Sequence, residues 1–154
     1  MSHPQTTMAA APSGNGTGEN QNSTGRAPLR IGVMLRGVAE YDGAGVYIRN
    51  LMDALLDLDR TNEYVLFYSD PQQAGRFGHR PNVREVVVRA PGRLLWDQVA
   101  VPVAARRARL DVLFHHKFSI PLIAPCPTVV QQRGTEYWTF PEYYPTIGDR
   151  INRV

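Results

Sequence analysis

Short apolar runs alternate with stretches of helical periodicity through the middle of this chain, and this alternation limits its fold more than any other feature. Residues 29–35 are mainly apolar and follow a proline, which predicts a buried first strand. Apolar residues then recur at helical spacing from Val46 to Leu58, with charged residues between them, so an amphipathic helix should cover that strand. Strands that alternate with helices form βαβ units with right-handed crossovers. The sequence therefore predicts an α/β fold with a mostly parallel sheet.

The same alternation continues toward the C-terminus. Residues 64–68 and 83–89 are predicted to be the second and third strands, separated by a polar loop. A second amphipathic helix is predicted from Leu94 to about Arg109, and its apolar residues are expected between Leu94 and Val103. Pro102 lacks a backbone N–H, so it should start or kink this helix locally. Residues 111–114 and 128–131 are the predicted fourth and fifth strands.

The N-terminal segment differs from the rest in composition. Residues 1–28 are rich in Ser, Thr, Asn, Gln and Gly and contain no apolar run longer than Met8 to Ala11. Because such a segment buries too little apolar surface to offset its ordering entropy, we expect a disordered tail. Residues 29–154 then remain for one domain. The chain ends at Val154 within a stretch of helical character, so this domain is expected to be truncated.

The charge of the chain carries little functional signal. Its 17 basic and 14 acidic residues leave a net charge of +3, and no nucleic-acid partner is expected from so small an excess. The exception is the run from Arg106 to Arg109, which suits a solvated helix end or attraction to anionic lipid or an acidic substrate. A single cysteine and the lack of an apolar stretch of about 18 residues favour a cytoplasmic protein, with peripheral membrane contact left open.

Gly43, Ala44 and Gly45 stand directly before the first predicted helix. In an open α/β sheet, ligands bind beyond the carboxyl ends of the strands, where this glycine loop should lie. Glycines let backbone amides approach a ligand closely, and a helix start favours an anion or a polar oxygen. A glycine-rich turn capped by Asp42 explains the same residues without a ligand. Both interpretations stay open on the sequence alone.

Polar residues also follow the fourth and fifth predicted strands. His115 follows the fourth strand at the expected ligand edge, where it could donate a hydrogen bond to a substrate. Arg133 and Gly134 follow the fifth strand, and a fixed guanidinium suits a phosphate or a sugar hydroxyl. A structural ion pair between Arg133 and Glu136 is the alternative. We therefore regard His115, Arg133 and Gly134 as candidate substrate-binding residues.

No metal site is expected from the carboxylates and histidines of this sequence. Asp57 and Asp59 have the spacing of a carboxylate pair that grips a divalent cation, but they stand at a predicted helix end, where carboxylates normally face water. His115 and His116 are adjacent on a strand and should point to opposite faces, so they are not expected to share a metal ion.

A dinucleotide-binding fingerprint competes with these assignments. The segment from Gly43 to Ile48 has two of the three required glycines, with Ile48 at the position of the third. The loop from Leu35 to Gly43 is also long for the tight turn of that motif. Asp70, after the second strand, could act as the acid that binds the ribose. An oxidoreductase domain therefore stays an alternative.

These segments together resemble the opening domain of family 4 glycosyltransferases. The resemblance spans about residues 29–154, and the combination of segments is moderately specific although each one is short. It is carried by Asp42-Gly43-Ala44-Gly45, Tyr47-Ile48-Arg49-Asn50-Leu51, Leu95-Trp96-Asp97-Gln98, Asp111-Val112-Leu113-Phe114-His115, Pro127-Thr128-Val129-Val130 and Phe140-Pro141-Glu142.

The resemblance implies the N-terminal, Rossmann-like half of the two-domain GT-B fold, which seats the acceptor. It implies a retaining transfer of a glycosyl group from a nucleotide sugar, the co-substrate, to an acceptor hydroxyl, with no metal and no other cofactor. It assigns no catalytic residue. The binding residues that it suggests are Gly43, Ala44, Gly45, His115, Arg133 and Gly134.

One departure from the family pattern concerns the donor sugar. Family members often carry His-Asp or His-Gly after the fifth strand, with the histidine touching that sugar, whereas this chain has Arg133-Gly134. The glutamates that bind the donor belong to a second domain, which these residues do not contain. We therefore expect the chain by itself to be inactive or nearly so. A non-catalytic domain that binds a sugar or a partner is the alternative.

Overall fold

The computed structural model describes residues 26–38, 43–117 and 119–131, together with Thr139 and Glu142. The expected N-terminal tail, Arg133, Gly134 and the C-terminal end of the chain lie outside these residues. No helix in the described part of the chain is long and apolar enough to cross a membrane. The elements, in chain order, are strand β1 (Arg30–Met34), helix α1 (Gly43–Leu58), strand β2 (Glu63–Tyr68), a 3-10 turn (Pro71–Gln73), strand β3 (Val83–Val87), helix α2 (Arg93–Leu95), a π-helical turn (Trp96–Ala100), helix α3 (Val101–Ala108), strand β4 (Val112–His115) and strand β5 (Thr128–Val130).

The five strands form one parallel sheet in the order β3-β2-β1-β4-β5. Central strand β1 pairs with β2 on one side and with β4 on the other, so that Gly32 is level with both Val65 and Leu113. The chain first winds outward from β1 to β3 and then returns across the sheet to β4. This topology confirms the predicted α/β, Rossmann-like fold, and it places a switch point between the carboxyl ends of β1 and β4.

Each face of the sheet has its own apolar core, because successive residues of a strand point to opposite sides. Helix α1 covers the face that carries Val33 and Leu66, and it contributes the fully buried side chains of Ile48, Met52 and Leu56. The opposite face carries Met34, Phe67 and Leu113, and the segment 93–108 covers it with Trp96, Val101 and Ala105. Both cores end at the carboxyl edge of the sheet, so the packed helices fix the loops that project from that edge.

Gly32, in the middle of the central strand, allows the chain between α3 and β4 to pack closely on the sheet. A Cβ at this position would overlap the side chain of Leu110 and would lie 3.2 Å from the ring of Phe67. Leu110 is almost fully buried. Because Gly32 has no side chain, Leu110, two residues before β4, can pack closely against this face of the sheet.

The second helical segment corrects part of the sequence prediction. It runs from residue 93 to residue 108 as expected, but Leu94, Leu95, Val99 and Val103 are all exposed rather than buried. A π-helical turn at Trp96–Ala100 includes one extra residue, which rotates the positions after it relative to a regular helix. Pro102 follows directly in the first turn of α3, in agreement with its predicted role as a local helix start.

Candidate functional site

The turn after β1 is held in place from both faces of the sheet. Gly37 has φ +78°, in the left-handed region that glycine adopts without strain, and Val38 N–H closes the turn onto Leu35 O at 3.3 Å. On the α1 side, the Arg49 guanidinium donates a hydrogen bond to Val38 O. On the other side, Arg36 reaches toward the π-helical turn. The loop that leads to α1 therefore starts from a fixed position at the switch point.

A buried ion pair joins this turn to the second helical segment. Arg36 Nε and Nη2 donate to the two carboxylate oxygens of Asp97, at 3.2 and 3.1 Å. Asp97 is only 1% exposed, and its Oδ2 also accepts a hydrogen bond of 2.7 Å from Ser119 Oγ, in the segment after β4. A buried carboxylate is tolerated only with such partners, because its desolvation is costly. Asp97 thus connects the segments that follow β1 and β4.

His115, the last residue of β4, completes this cluster. Its Nδ1 lies against Ser119 O, and since a carbonyl oxygen only accepts hydrogen bonds, Nδ1 must carry the proton. Burial is the main cause that lowers the pKa of His115 to about 4, against the smaller opposing effects of the Ser119 carbonyl and Asp97. The imidazole is therefore neutral near pH 7. Its Nε2, a lone-pair acceptor, is buried without a hydrogen-bond partner in the described part of the chain.

His116 turns back from the end of β4 toward β1. It is fully buried, and its Nδ1 lies 3.2 Å from Met34 O. Its ring meets that of His115 edge to face, with the centroids 5.5 Å apart. No cluster of three or more metal-ligating side chains occurs among the described residues. The two histidines thus pack against each other at the carboxyl ends of β1 and β4.

The predicted glycine loop is in fact the first turn of α1, which begins at Gly43. Gly43 is exposed, Ala44 is half-buried and Gly45 is buried. A Cβ added at Gly43 would meet no atom of the described residues within 4 Å, so those residues leave room for a side chain at this first helical position. The first N–H groups of a helix have no partner within the helix, and they favour an anion there. The outermost of the three predicted residues is thus the accessible one.

A second contact ties this helix start to the end of β5. Gln131 Nε2 donates a hydrogen bond of 2.8 Å to the hydroxyl of Tyr47, the fifth residue of α1. Gln131 N–H also bonds His115 O at 3.0 Å, so the edges of β4 and β5 are in register here. Of the predicted binding residues, the structure thus brings the start of α1 and His115 to one edge of the sheet, while Arg133 and Gly134 lie outside the described residues.

Three residues that form the polar side of this edge were not predicted from the sequence: Arg36, Asp97 and Ser119. One signal was present for Asp97, since a carboxylate directly after Trp96 interrupts an otherwise apolar helical run. A charge at a core position needs a buried partner, and that requirement would have prompted a search for an arginine. Nothing local marked Arg36, which is 61 residues away along the chain.

The other carboxylates considered from the sequence have structural partners. Asp57 pairs with Arg80 at 2.9 Å. Burial alone would raise the pKa of Asp59, but hydrogen bonds from Tyr64 and Asn62 outweigh it and lower that pKa to about 2. Asp70 accepts a bond of 2.9 Å from Gln72 N–H and caps the 3-10 turn after β2. Each of these carboxylates is therefore explained by the local fold.

Comparison with known proteins gives no relative from which a role could be transferred. No protein-family model, curated protein or solved structure matches this chain.

Proposed function

We propose that this chain is the acceptor-side domain of a retaining glycosyltransferase of the GT-B fold, which uses a nucleotide sugar as donor and a hydroxyl group as acceptor. Two independent lines support the proposal. The first is the resemblance of six sequence segments to family 4 glycosyltransferases. The second is the parallel sheet, whose strand order creates a ligand crevice at the carboxyl ends of β1 and β4.

The observation that carries the proposal is the exposed first residue of α1, Gly43, which follows the segment after β1. This 16-residue helix points its N-terminus at the switch point, and no side chain of the described residues occupies the space at Gly43. The partial positive charge of a helix N-terminus stabilises phosphate oxygens. In the proposed reaction, negative charge develops on the nucleoside diphosphate as the glycosyl group leaves. A fixed positive end at this position would stabilise that charge without a metal ion.

The remaining polar residues of this edge would seat the acceptor. Arg36 is fixed by Asp97, and Asp97 in turn binds Ser119, so the segments after β1 and β4 hold one geometry before a ligand arrives. Such preorganisation places a hydroxyl group at lower entropic cost than mobile loops would. The main contacts to the nucleotide would come from a second domain, so the chain alone is proposed to be inactive.

A dinucleotide-binding oxidoreductase is the second candidate, because the strand order 3-2-1-4-5 is also found in dinucleotide-binding domains. Three features disfavour it. Residues 35–42 separate β1 from α1, a longer connection than a phosphate-binding turn uses. Ile48, at the position of the third glycine, is fully buried in the core under α1. Asp70, the only acid suggested for the ribose, is occupied as a helix cap.

The proposal is tested by titrating the isotopically labelled chain with uridine, guanosine and adenosine diphosphate sugars and recording amide NMR shifts. We expect weak binding, no tighter than the millimolar range or about 4 kcal/mol, with the shifts concentrated at residues 43–47. Gly43→Val should abolish them, because a Cβ there meets no described atom within 4 Å and the added side chain would project into the proposed ligand site. Ala54→Val, at an exposed position in the middle of α1, is the matched control and should change nothing.

Three outcomes would contradict the proposal or a part of it. Shifts that survive Gly43→Val would show that the start of α1 is only a helix cap. Micromolar binding of a nicotinamide dinucleotide, together with no amide shifts on addition of nucleotide sugars, would favour the oxidoreductase. Micromolar binding of a nucleotide sugar would instead show that the donor contacts belong to this domain rather than to a second one.

A further inference from the structure

The outward side of the second helical segment is apolar, where a surface helix normally carries charges. Leu95, Val99 and Val103 follow one another at a spacing of four residues, and they are 47%, 53% and 44% exposed. This spacing aligns them as one stripe along the helix. The inward side already carries Trp96, Val101 and Ala105, so the stripe is additional apolar surface that the fold does not need for its core.

A groove of about 540 Å³ runs between this stripe and strand β3. Its apolar lining includes Val86, Val88, Val99 and Val103, and its charged lining consists of arginines alone, with no carboxylate among the residues that form it. The three arginines of the lining are Arg84, Arg89 and Arg107. The groove therefore combines an apolar floor with a cationic rim, which suits a ligand that has an apolar part and a negative charge.

The alternation of β3 separates the charges of its two faces. Arg84 points toward the groove, whereas Glu85 points to the α1 face and accepts a bond of 2.8 Å from the Tyr68 hydroxyl. On the α1 face, Asp53 and Asp57 are paired with Arg76 and Arg80. The face with the groove differs, because its arginines form no ion pair with any described residue. They are Arg84, Arg89 and Arg107. Arg106 and Arg109 are also exposed, at the C-terminal end of the same helical segment.

A second exposed apolar pair adjoins the stripe. Leu122 and Ile123, in the segment after β4, are 90% and 86% exposed. The side chain of Gln98 holds this segment against the helix, since it donates to Ile120 O and accepts from Leu122 N–H, both at 2.9 Å. Side chains that project this far can insert singly into an acyl layer, which needs no complementary pocket. We call the stripe, the groove with its arginines and this pair the basic apolar face.

We propose that the basic apolar face docks on an anionic lipid bilayer, with the helical segment 93–108 parallel to the surface. The stripe would enter the boundary between head groups and acyl chains, as in interfacial amphipathic segments. The arginines would stay at the level of the anionic head groups, with their aliphatic stems on the apolar groove. The charge of the face decides for this occupant, because an uncharged partner would leave the three guanidinium groups of the groove uncompensated. The inference rests on this surface alone and is independent of the proposed transferase function.

The test is cosedimentation of the whole chain with vesicles of phosphatidylcholine alone and of phosphatidylcholine mixed with phosphatidylglycerol. We expect binding to the mixed vesicles that weakens with salt, and much weaker binding to phosphatidylcholine. Each arginine near an anionic surface contributes about 1 kcal/mol, or about fivefold in the partition coefficient, so the triple variant Arg84→Ala, Arg89→Ala, Arg107→Ala should lose about a hundredfold. The pair Val99→Ser and Val103→Ser should weaken binding as well.

The opposite face of the molecule supplies matched controls. Arg60→Ala removes one exposed positive charge, and Leu58→Ser removes an apolar side chain that is 85% exposed at the end of α1. Neither should change vesicle binding, and thermal unfolding of every variant checks that the fold is kept. Equal losses in the controls, equal binding to both kinds of vesicle, or no binding even at low salt would each overturn the proposal. If the chain binds inorganic phosphate at these arginines but does not bind the vesicles, the arginines are a site for a soluble anion, and the proposal is wrong.

Discussion

Replacement of Asp97 by alanine should be among the most destabilising single changes in the described part of this protein. The substitution removes the carboxylate from a buried ion pair with Arg36, whose side chain is only 13% exposed. It also removes the acceptor of the Ser119 hydroxyl. Loss of one partner from a buried ion pair typically costs about 3–5 kcal/mol. Since a domain of this size has a free energy of unfolding of about 5–15 kcal/mol, the variant should lose a large part of its stability.

Urea denaturation, followed by circular dichroism and by tryptophan fluorescence, measures the effect. Glu63→Ala is the matched control, because it breaks the exposed pair between Glu63 and Arg30, which should contribute less than about 1 kcal/mol. The double variant Arg36→Met, Asp97→Leu should be much more stable than Asp97→Ala, since it removes both buried charges at once. If Asp97→Ala costs no more than Glu63→Ala, the buried pair does not hold this edge together and the reasoning fails.

Two further predictions concern His115 and Gly32. Burial lowers the pKa of His115 from 6.5 to about 4, so between these pH values the unfolded chain binds more protons than the folded chain. The neutral, buried His115 therefore contributes up to about 3 kcal/mol to the free energy of unfolding. This contribution is complete above pH 6.5 and is lost as the pH falls toward 4. Urea midpoints measured across this range should show the loss in the parent chain and a smaller slope in His115→Gln, and equal slopes would refute the assignment. Gly32→Ala should cost about 1–3 kcal/mol through its overlap with Leu110, as measured by thermal unfolding. The cost should shrink in a Leu110→Ala background, and an undiminished cost there would place the strain elsewhere.

Hydrophobic periodicity was sufficient to predict the elements of this fold, because it reports directly which side of each element is buried. Strand β1 was predicted at residues 29–35 and occupies Arg30–Met34, and helix α1 ends at Leu58 as its pattern indicated. The error at Val99 and Val103 has a physical cause. An apolar residue at helical spacing was assumed to face the core, but the π-helical turn changes the phase and leaves these side chains exposed.

The candidate site was only partly predictable, because its residues are brought together by long-range side-chain contacts. The helix start at Gly43 and the strand end at His115 could be placed, since parallel strands put their carboxyl ends at one edge. The pairing of Arg36 with Asp97 could not, since it depends on how two loops and a π-helical turn meet in space. The accessibility of Gly43 and the burial of Gly45 likewise follow from packing rather than from the glycine pattern.

The position of β1 at the centre of the sheet has a consequence for how the protein is made. One neighbour of β1 follows soon after it in the chain, but the other, β4, joins only after a long delay, as the bond between Arg30 and Asp111 across 81 positions illustrates. During synthesis, β1, β2 and β3 can therefore assemble while one edge of β1 still lacks its strand. Such late, non-local pairing slows folding and exposes an apolar strand edge to other nascent chains. The step that completes the sheet is thus also the step at which chaperone protection should matter most.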